Sequence, residues 1–138
     1  MIKLLKKTGL GFAVLTIALG LVYHYMDAET KVLNDDSRAR LGGQYIEIEN
    51  GTVHYQLEGA SENDLVVMVH GFSSPFYVFD PTYEHLKQAG FRVLRFDLFG
   101  RGYSDRPDAD YSIALYVEQL HALLAKLNIT RQVHLLGL

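Results

Sequence analysis

The segment DLFGRGYSDRP, residues Asp97–Pro107, continues an apolar run, FRVLRFDL at 91–98, that has the length and composition of a buried β-strand. Glycines occur where a loop needs backbone dihedrals that other residues rarely adopt, and an Asp carboxylate can accept backbone N–H bonds inside such a loop. The segment therefore predicts a structured loop with a supporting role rather than a chemical one. The residues assigned to this loop are Asp97, Gly100, Gly102 and Ser104.

Two chemical interpretations of the same segment are weaker. From Gly100 it begins like the dinucleotide-binding pattern G-x-G-x-x-G, but Asp105 replaces the third glycine and the loop follows the wrong strand. From Gly102 it begins like the nucleophile elbow G-x-S-x-G, but Arg106 replaces the last glycine and no helix follows at once. Dinucleotide binding is therefore disfavoured, and no cofactor is predicted.

Upstream, the run LVVMVH at 65–70 is apolar at five consecutive positions, which is typical of a parallel strand covered on both faces. It leads into HGFSSP at 70–75, where Gly71 permits a sharp turn and the close approach of a bound group. One interpretation is an ordinary turn with a hydrogen-bonded histidine. The other is an oxyanion hole, in which the Phe72 N–H faces developing negative charge and His70 and Gly71 support the loop.

The flanking segments alternate between strand and helix patterns. Residues 45–59 alternate apolar and polar side chains around Asn50-Gly51, which is a strong hairpin signal. Residues 81–90 predict a short helix, 111–129 predict an amphipathic helix capped by Ser112, and 133–136 predict a third buried strand. The apolar stripe of the longer helix comprises Ile113, Val117, Leu120, Leu124 and Leu127. The predicted fold class is α/β, with a doubly wound, mostly parallel sheet and an N-terminal β-hairpin.

The N-terminus predicts a single transmembrane helix before this domain. Residues 8–26 contain no Asp, Glu, Lys or Arg over 19 residues, and at about 1.5 Å per residue such a helix nearly matches a bilayer core. The predicted organisation is a basic tail at 1–7, a signal-anchor at 8–26, a polar linker at 27–43 and a domain at 44–138. Lysines before the span orient the N-terminus to the cytoplasm and the domain outside it. The alternative is a signal peptide cleaved near Ala18–Gly20, which would give a secreted product.

The last two residues, Gly137 and Leu138, follow the third predicted strand. A strand ending in Gly-x is the first half of the nucleophile elbow G-x-S-x-G, in which the nucleophile lies on a strained strand-to-helix turn. We therefore expect Gly137 and Leu138 to start an elbow whose nucleophile would be the next residue.

The order of these segments resembles the N-terminal half of the α/β-hydrolase fold, of membrane-anchored esterase or lipase type. The resemblance covers residues 44–138, and its most specific part is Asp97–Pro107. It implies that the Phe72 N–H is one oxyanion donor and that the residue after the nucleophile is the second. It also implies that the Asp97 loop is a structural element beside the site. In the family the nucleophile, acid and histidine come in that chain order, so none of the three falls within this chain.

The resemblance implies that the full-length parent is a carboxylic-ester hydrolase acting by serine acyl transfer on a small-molecule ester. This chain lacks the triad and is expected to be inactive alone. An Asp nucleophile would instead imply dehalogenase or epoxide-hydrolase chemistry, and a third alternative is a non-catalytic, membrane-tethered fragment. An aromatic set predicts either an acyl pocket or packing beneath a lid, and it comprises Phe72, Phe76, Tyr77 and Phe79.

Composition excludes several classes of function. The net charge is −3, and no basic cluster lies outside the N-terminus, so nucleic-acid binding has no electrostatic support. The chain has no cysteine, which excludes a thiolate nucleophile, a disulfide framework and a zinc–cysteine site. Glu118 and His121 have the spacing of a helical metal pair, but without a second pair no metal site is predicted. The predicted partners are a lipid bilayer at 8–26 and the ester substrate.

Overall fold

The computed structural model describes the backbone of residues 2–26, 33–41 and 43–138, and the side chains of these from residue 11 onward. Four α-helices are present in these ranges: α1 (Ile2–Met26), α2 (Asp35–Leu41), α3 (Asp80–Gln88) and α4 (Ile113–Lys126). Five strands are present: β1 (Gln44–Ile48), β2 (Gly51–Glu58), β3 (Leu65–Val69), β4 (Arg92–Phe96) and β5 (His134–Gly137). A 3₁₀ turn at Phe76–Phe79 leads directly into α3.

The five strands form one sheet in the order β1-β2-β4-β3-β5. Strands β3, β4 and β5 are parallel to one another, as expected for strands joined by helical crossovers. The β1–β2 and β2–β4 pairs are antiparallel. The prediction of a mostly parallel sheet is therefore wrong in this part, and the sheet is mixed. The reason is that the hairpin extends the parallel strands by pairing β2 directly with β4.

The hairpin turn lies where Asn50-Gly51 predicted it. Asn50 has a φ of +50°, a conformation that asparagine tolerates better than most residues, and Gly51 opens β2 with a φ of +138°. The register pairs Ile48 with Gly51 and Gln44 with Tyr55. Because side chains alternate along a strand, this register turns Ile48 and Val53 toward the core.

The core has two parts, one on each face of the parallel strands. On β3, Leu65 and Val67 pack with Leu115 and Leu123 of α4. Their neighbours Val66 and Met68 pack with Tyr83 of α3 and with other residues on the opposite face. The continuous apolar run at 65–69 therefore has the physical cause inferred from sequence, since both faces of β3 are covered.

Helix α4 buries a different stripe from the predicted one. Ser112 caps the helix, and its side chain accepts from the N–H of Leu115. The buried residues of α4 are Leu115, Gln119 and Leu123, whereas Ile113 is 82% exposed and Val117 is 46% exposed. The predicted stripe is wrong at these two positions because α4 carries apolar residues on most sides. The true buried face has the polar residue Gln119 at its centre, so apolar spacing alone did not identify it.

Strand β5 is also more exposed than the predicted buried strand. It pairs with β3 on one side, and among the described residues no strand pairs with its other edge. Leu135 is 63% exposed in consequence.

The chain divides into two compact units, Met1–Val32 and Leu33–Leu138. The second begins before the predicted boundary at residue 44, because α2 lies in the predicted linker and Arg38 pairs with Asp105. Positions 27–32 and 42 of that linker lie outside the described residues. The first unit contains α1. Within the part of the chain that the structure describes, no helix is both long enough and apolar enough to cross a membrane.

Candidate functional site

The carboxyl ends of β3 and β5 meet at one edge of the sheet. Val69 pairs with Gly137, and the Leu138 N–H donates to the Val69 carbonyl at 3.3 Å. A Cβ placed on Gly71 would lie 3.5 Å from the Leu138 carbonyl oxygen. The His-Gly-Phe loop and the expected start of the nucleophile elbow are thus neighbours, at the edge where α/β sheets bind ligands.

His70 holds the first turn of this loop. Its side chain is buried, and its Nε2 accepts from the Leu98 N–H at 2.9 Å. Its Nδ1 lies 2.7 Å from the Gly71 carbonyl oxygen. Because Nε2 acts as an acceptor, we assign the proton of a neutral ring to Nδ1, which then donates to Gly71. His70 therefore ties the loop after β3 to the loop after β4.

Phe72 projects from the loop, and its side chain is 79% exposed. Arg101 contacts Phe72 in two ways, and in the first the Arg101 Nε donates to the Phe72 carbonyl at 2.6 Å. The guanidinium also stacks over the Phe72 ring, 4.2 Å from its centroid. Whether the Phe72 N–H acts as an oxyanion donor stays a prediction, but its backbone is anchored.

Asp97 is the junction of three segments. Its side chain is buried, Oδ1 accepts from the Phe76 N–H at 2.8 Å, and Oδ2 accepts from the Tyr103 N–H at 3.0 Å. His54 adds a third contact, with Nδ1 at 2.8 Å from Oδ2. Gly102 has a φ of +51°, and a Cβ there would overlap the Asp97 carboxylate. The loop therefore needs glycine at 102 for both its backbone conformation and its space.

Ser104 and Gln119 complete the buried polar network around Asp97. The Ser104 hydroxyl donates to the Asp97 carbonyl at 2.6 Å and accepts from the His54 N–H at 3.0 Å. The Gln119 amide donates to the same carbonyl at 3.0 Å and accepts from the Phe99 N–H at 3.0 Å. Ser104 is fully buried, so its position matches a structural residue rather than an exposed nucleophile.

Sequence reasoning missed Gln119 and Arg101. A signal for Gln119 was available, because it lies four residues from both Leu115 and Leu123 and so shares their face of the helix. No comparable signal was available for Arg101, since its bond to Phe72 joins loops 29 residues apart in sequence.

The predicted aromatic set does not line one pocket. Phe72 and Tyr77 are exposed, whereas Phe79 is 3% exposed and belongs to the core. Phe76 stacks on the His54 ring, with the two ring centroids 4.7 Å apart. The Arg95 guanidinium also lies over the Phe76 ring, 4.5 Å from the Phe76 centroid. The set is therefore split between surface, core and a stacked cluster.

The weak metal pair lies elsewhere. Glu118 and His121 border a pocket beside the hairpin turn, together with Glu49 and Asn50. Among the described residues, no three metal-ligating side chains are grouped closely enough to hold a metal ion.

Several known proteins are similar to this chain. It is 30% identical over 90 residues to epoxide hydrolase 2 of Caenorhabditis elegans, covering 64% of this chain and 25% of that protein. It is 35% identical over 79 residues to a haloalkane dehalogenase of Psychrobacter cryohalolentis, covering 56% of this chain and 26% of that protein. The chain thus spans about a quarter of the length of these curated relatives.

Solved structures agree with the fold. An enol-lactonase from Burkholderia xenovorans superposes with a TM-score of 0.64 at 26% identity, covering 69% of this chain and 36% of that one. A hydrolase from Pseudomonas aeruginosa superposes with a TM-score of 0.63 at 30% identity, covering 69% of this chain and 36% of that one. The sequence profile of the alpha/beta hydrolase fold family matches residues 64–138. By this match, and by the strand ends described above, the chain belongs to the α/β-hydrolase fold family.

Proposed function

We propose that this chain supplies the oxyanion side of the active site of a carboxylic-ester hydrolase. The single observation that carries the proposal is the adjacency of Gly71 and Leu138, which brings the Phe72 loop beside the expected elbow. A nucleophile directly after Leu138 would then attack a carbonyl within reach of the Phe72 N–H. Two such N–H donors, aimed at the developing oxyanion, are what acyl transfer requires.

The reaction would proceed through an acyl-enzyme. A base takes the proton of the nucleophilic hydroxyl as its oxygen forms a bond to the ester carbonyl carbon, and the carbonyl π electrons move onto the oxygen that the Phe72 N–H faces. The carbonyl re-forms as the C–O bond to the alcohol breaks, and the base returns the proton to the leaving alcohol. Water then hydrolyses the acyl-enzyme by the same steps. Within this chain, His70 and Asp97 orient the loops and take no proton from substrate. No cofactor or metal is required.

A second candidate has an Asp nucleophile. The identities with an epoxide hydrolase and a haloalkane dehalogenase favour it. In that chemistry a carboxylate oxygen bonds to a carbon of the epoxide as that carbon's C–O bond breaks and the released alkoxide takes up a proton, or it bonds to the halogen-bearing carbon as halide leaves. Water then hydrolyses the resulting ester and regenerates the carboxylate. The same oxyanion loop would serve the second step, so Phe72 does not discriminate between the candidates.

We propose further that the 138 residues alone are inactive, either as part of a longer hydrolase or as a non-catalytic tethered fragment. The short span relative to the relatives supports this, because the resemblance assigns the nucleophile, acid and histidine to later positions. The acidic balance of the chain supports the absence of nucleic-acid partners.

We also propose that residues 8–26 bind a lipid bilayer and hold the domain outside the cytoplasm. The absence of acidic and basic residues over this stretch supports the proposal. The large apolar side chains of α1 between Phe12 and Met26 are exposed, as lipid-facing side chains would be in the absence of lipid.

The test is activity of the full-length protein that carries this chain. Purified protein is assayed on p-nitrophenyl butyrate, styrene oxide and 1-bromobutane, with the 138-residue chain as the control. The expected result is that the full-length protein hydrolyses p-nitrophenyl butyrate and that the 138-residue chain does not. Turnover of only the epoxide or the haloalkane would replace the ester proposal with the second candidate. Activity of the 138-residue chain would contradict the assignment of the triad to later residues.

A further inference from the structure

Both peptide units that flank the Phe72 Cα are restrained by side chains. The carbonyl of the Gly71–Phe72 unit receives the His70 Nδ1 contact at 2.7 Å. The carbonyl of the Phe72–Ser73 unit accepts from the Arg101 Nε at 2.6 Å. One restraint comes from the buried end of β3, and the other comes from the loop that follows β4.

These restraints fix the direction of the Phe72 N–H. In a trans peptide the C=O and the N–H point in opposite directions, and the described chain contains no cis peptide. Holding the Gly71 carbonyl toward His70 therefore turns the Phe72 N–H away from it. Holding the Phe72 carbonyl limits rotation about the bonds of the Phe72 Cα. The Gly71–Phe72 peptide plane, which contains the N–H, therefore cannot rotate freely relative to the Phe72–Ser73 plane.

Core packing does not supply this order. Phe72 is 79% exposed, and the contact of its ring with the Arg101 guanidinium is the stacking interaction that the structure records for it. Glycine at 71 adds backbone freedom directly before the donor. A donor on such a loop would lose orientation without a specific anchor.

Arg101 is suited to be that anchor because its own position is held. Its backbone N–H donates to the Leu98 carbonyl at 3.0 Å, and its Nη1 donates to the Gly100 carbonyl at 2.8 Å. The Gly100 N–H in turn donates to the Asp105 carbonyl at 2.8 Å. A planar guanidinium can serve two carbonyls and a ring face at once, which a lysine ammonium does not reproduce.

We propose that Arg101 is a positioning residue of the active site, which fixes the Phe72 N–H in its donating direction before substrate arrives. The inference rests on the proposed function, since it assigns a role relative to the oxyanion that function requires. Arg101 acts through Phe72 and does not contact the reacting atoms.

The test compares two arginines in the full-length protein. Arg101→Met removes the donors but keeps an unbranched apolar stem. Arg131→Met is the matched control, because Arg131 also donates to backbone carbonyls of a loop, those of Glu62 and Asn63. The measurements are kcat and KM on p-nitrophenyl butyrate, the inhibition constant of a trifluoromethyl ketone that forms a tetrahedral oxyanion, and the thermal midpoint.

We expect Arg101→Met to lower kcat by about 10–100-fold, less than the loss of a whole oxyanion donor, with KM within about twofold. The ketone should bind more weakly by the same factor as kcat/KM falls, while Arg131→Met changes neither. If Arg101→Met does not fold, Arg101→Lys carries the same test, with a smaller loss expected in the same direction.

Provided that the wild-type protein hydrolyses the ester, two results would overturn the inference alone. One is an Arg101 variant that retains the wild-type kcat, and the other is an Arg101 variant that loses kcat but binds the ketone as tightly as wild type. A wild-type protein that neither hydrolyses the ester nor binds the ketone would overturn the proposed function itself, and the inference with it.

Discussion

His54 Nδ1 and Asp97 Oδ2 lie 2.8 Å apart, and both side chains are buried. This contact joins the hairpin to the loop that follows β4. The other Asp97 oxygen receives the Phe76 N–H, which belongs to the segment after β3. One carboxylate therefore joins three parts of the domain that are distant in sequence. This structural role accounts for the burial of the Asp97 carboxylate among hydrogen-bond donors.

Replacing Asp97 with Asn should destabilise the domain by about 1–3 kcal/mol, because an amide NH₂ would replace one of two acceptor oxygens and face a donor. Urea unfolding of the full-length protein measures the change. Asp108→Asn is the control, because Asp108 is exposed. Equal midpoints for the two variants would contradict the assignment of Asp97 as the junction.

Gly102→Ala should destabilise the domain by more than Gly90→Ala. Both glycines have positive φ, +51° and +89°, so each substitution carries a backbone cost of about 1–2 kcal/mol. Only at 102 does the new Cβ overlap another group, the Asp97 carboxylate, whereas nothing lies within 4 Å at 90. Thermal unfolding compares the two variants, and an equal loss in both would show that space at 102 is not limiting.

The elements of this fold follow from local patterns in the sequence. The apolar run at 65–69 predicted a strand covered on both faces, and Asn50-Gly51 predicted the hairpin turn. Each of these signals lies within a few consecutive residues. The apolar run reflects burial on both faces, and Asn50-Gly51 reflects the positive φ angles of the turn. The pairing of β2 with β4 was not predictable in this way, because nothing in either strand specifies its neighbour in the sheet.

The polar contacts beside the site were harder to predict. Gln119 lay outside the apolar stripe predicted for α4, yet it is 1% exposed and bonds to the backbone around Asp97. A buried amide is stable only when its partners are present, and those partners come from a loop 22 residues away in sequence. The Arg101 contact with Phe72 has the same origin in tertiary structure.

The Glu58–Lys87 ion pair should make stability depend on pH. The hydrogen bond from Lys87, at 2.7 Å, lowers the pKa of Glu58, and the same bond raises the pKa of Lys87. The Glu58 contribution is present above the ordinary glutamate pKa and is lost as pH falls through the lowered folded value. The Lys87 contribution is lost as pH rises through its raised folded value. The pair therefore contributes fully between about pH 5 and pH 10.

Urea unfolding across pH tests the ion pair. Glu58→Gln should have a lower midpoint than wild type at pH 7, and the difference should shrink as pH falls through the lowered pKa of Glu58, because the wild-type carboxylate then becomes protonated. The effect should be small because both side chains are partly exposed. Glu47→Gln, at an exposed site on β1, is the control. A difference that persists unchanged at low pH would mean that the pair is not its cause.

Residues 8–26 should retain the full-length protein in the membrane pellet after a carbonate wash. Replacing Leu15 and Leu19 together with Arg should release it, since each charge at a helix centre costs about 2.5–3.5 kcal/mol in membrane insertion. Replacing the same two residues with Ile should leave it in the pellet. A soluble wild-type product whose N-terminus is Leu21 would instead favour the cleaved signal peptide.

Covalent labelling tests most directly whether the nucleophile follows Leu138, beside the Phe72 loop, as proposed. The full-length protein is treated with a fluorophosphonate, which reacts with activated serines, and the labelled peptide is sequenced by mass spectrometry. We predict a single label on the residue that directly follows Leu138, and no label on the 138-residue chain. A label on Ser73, Ser74 or Ser104 would contradict the account.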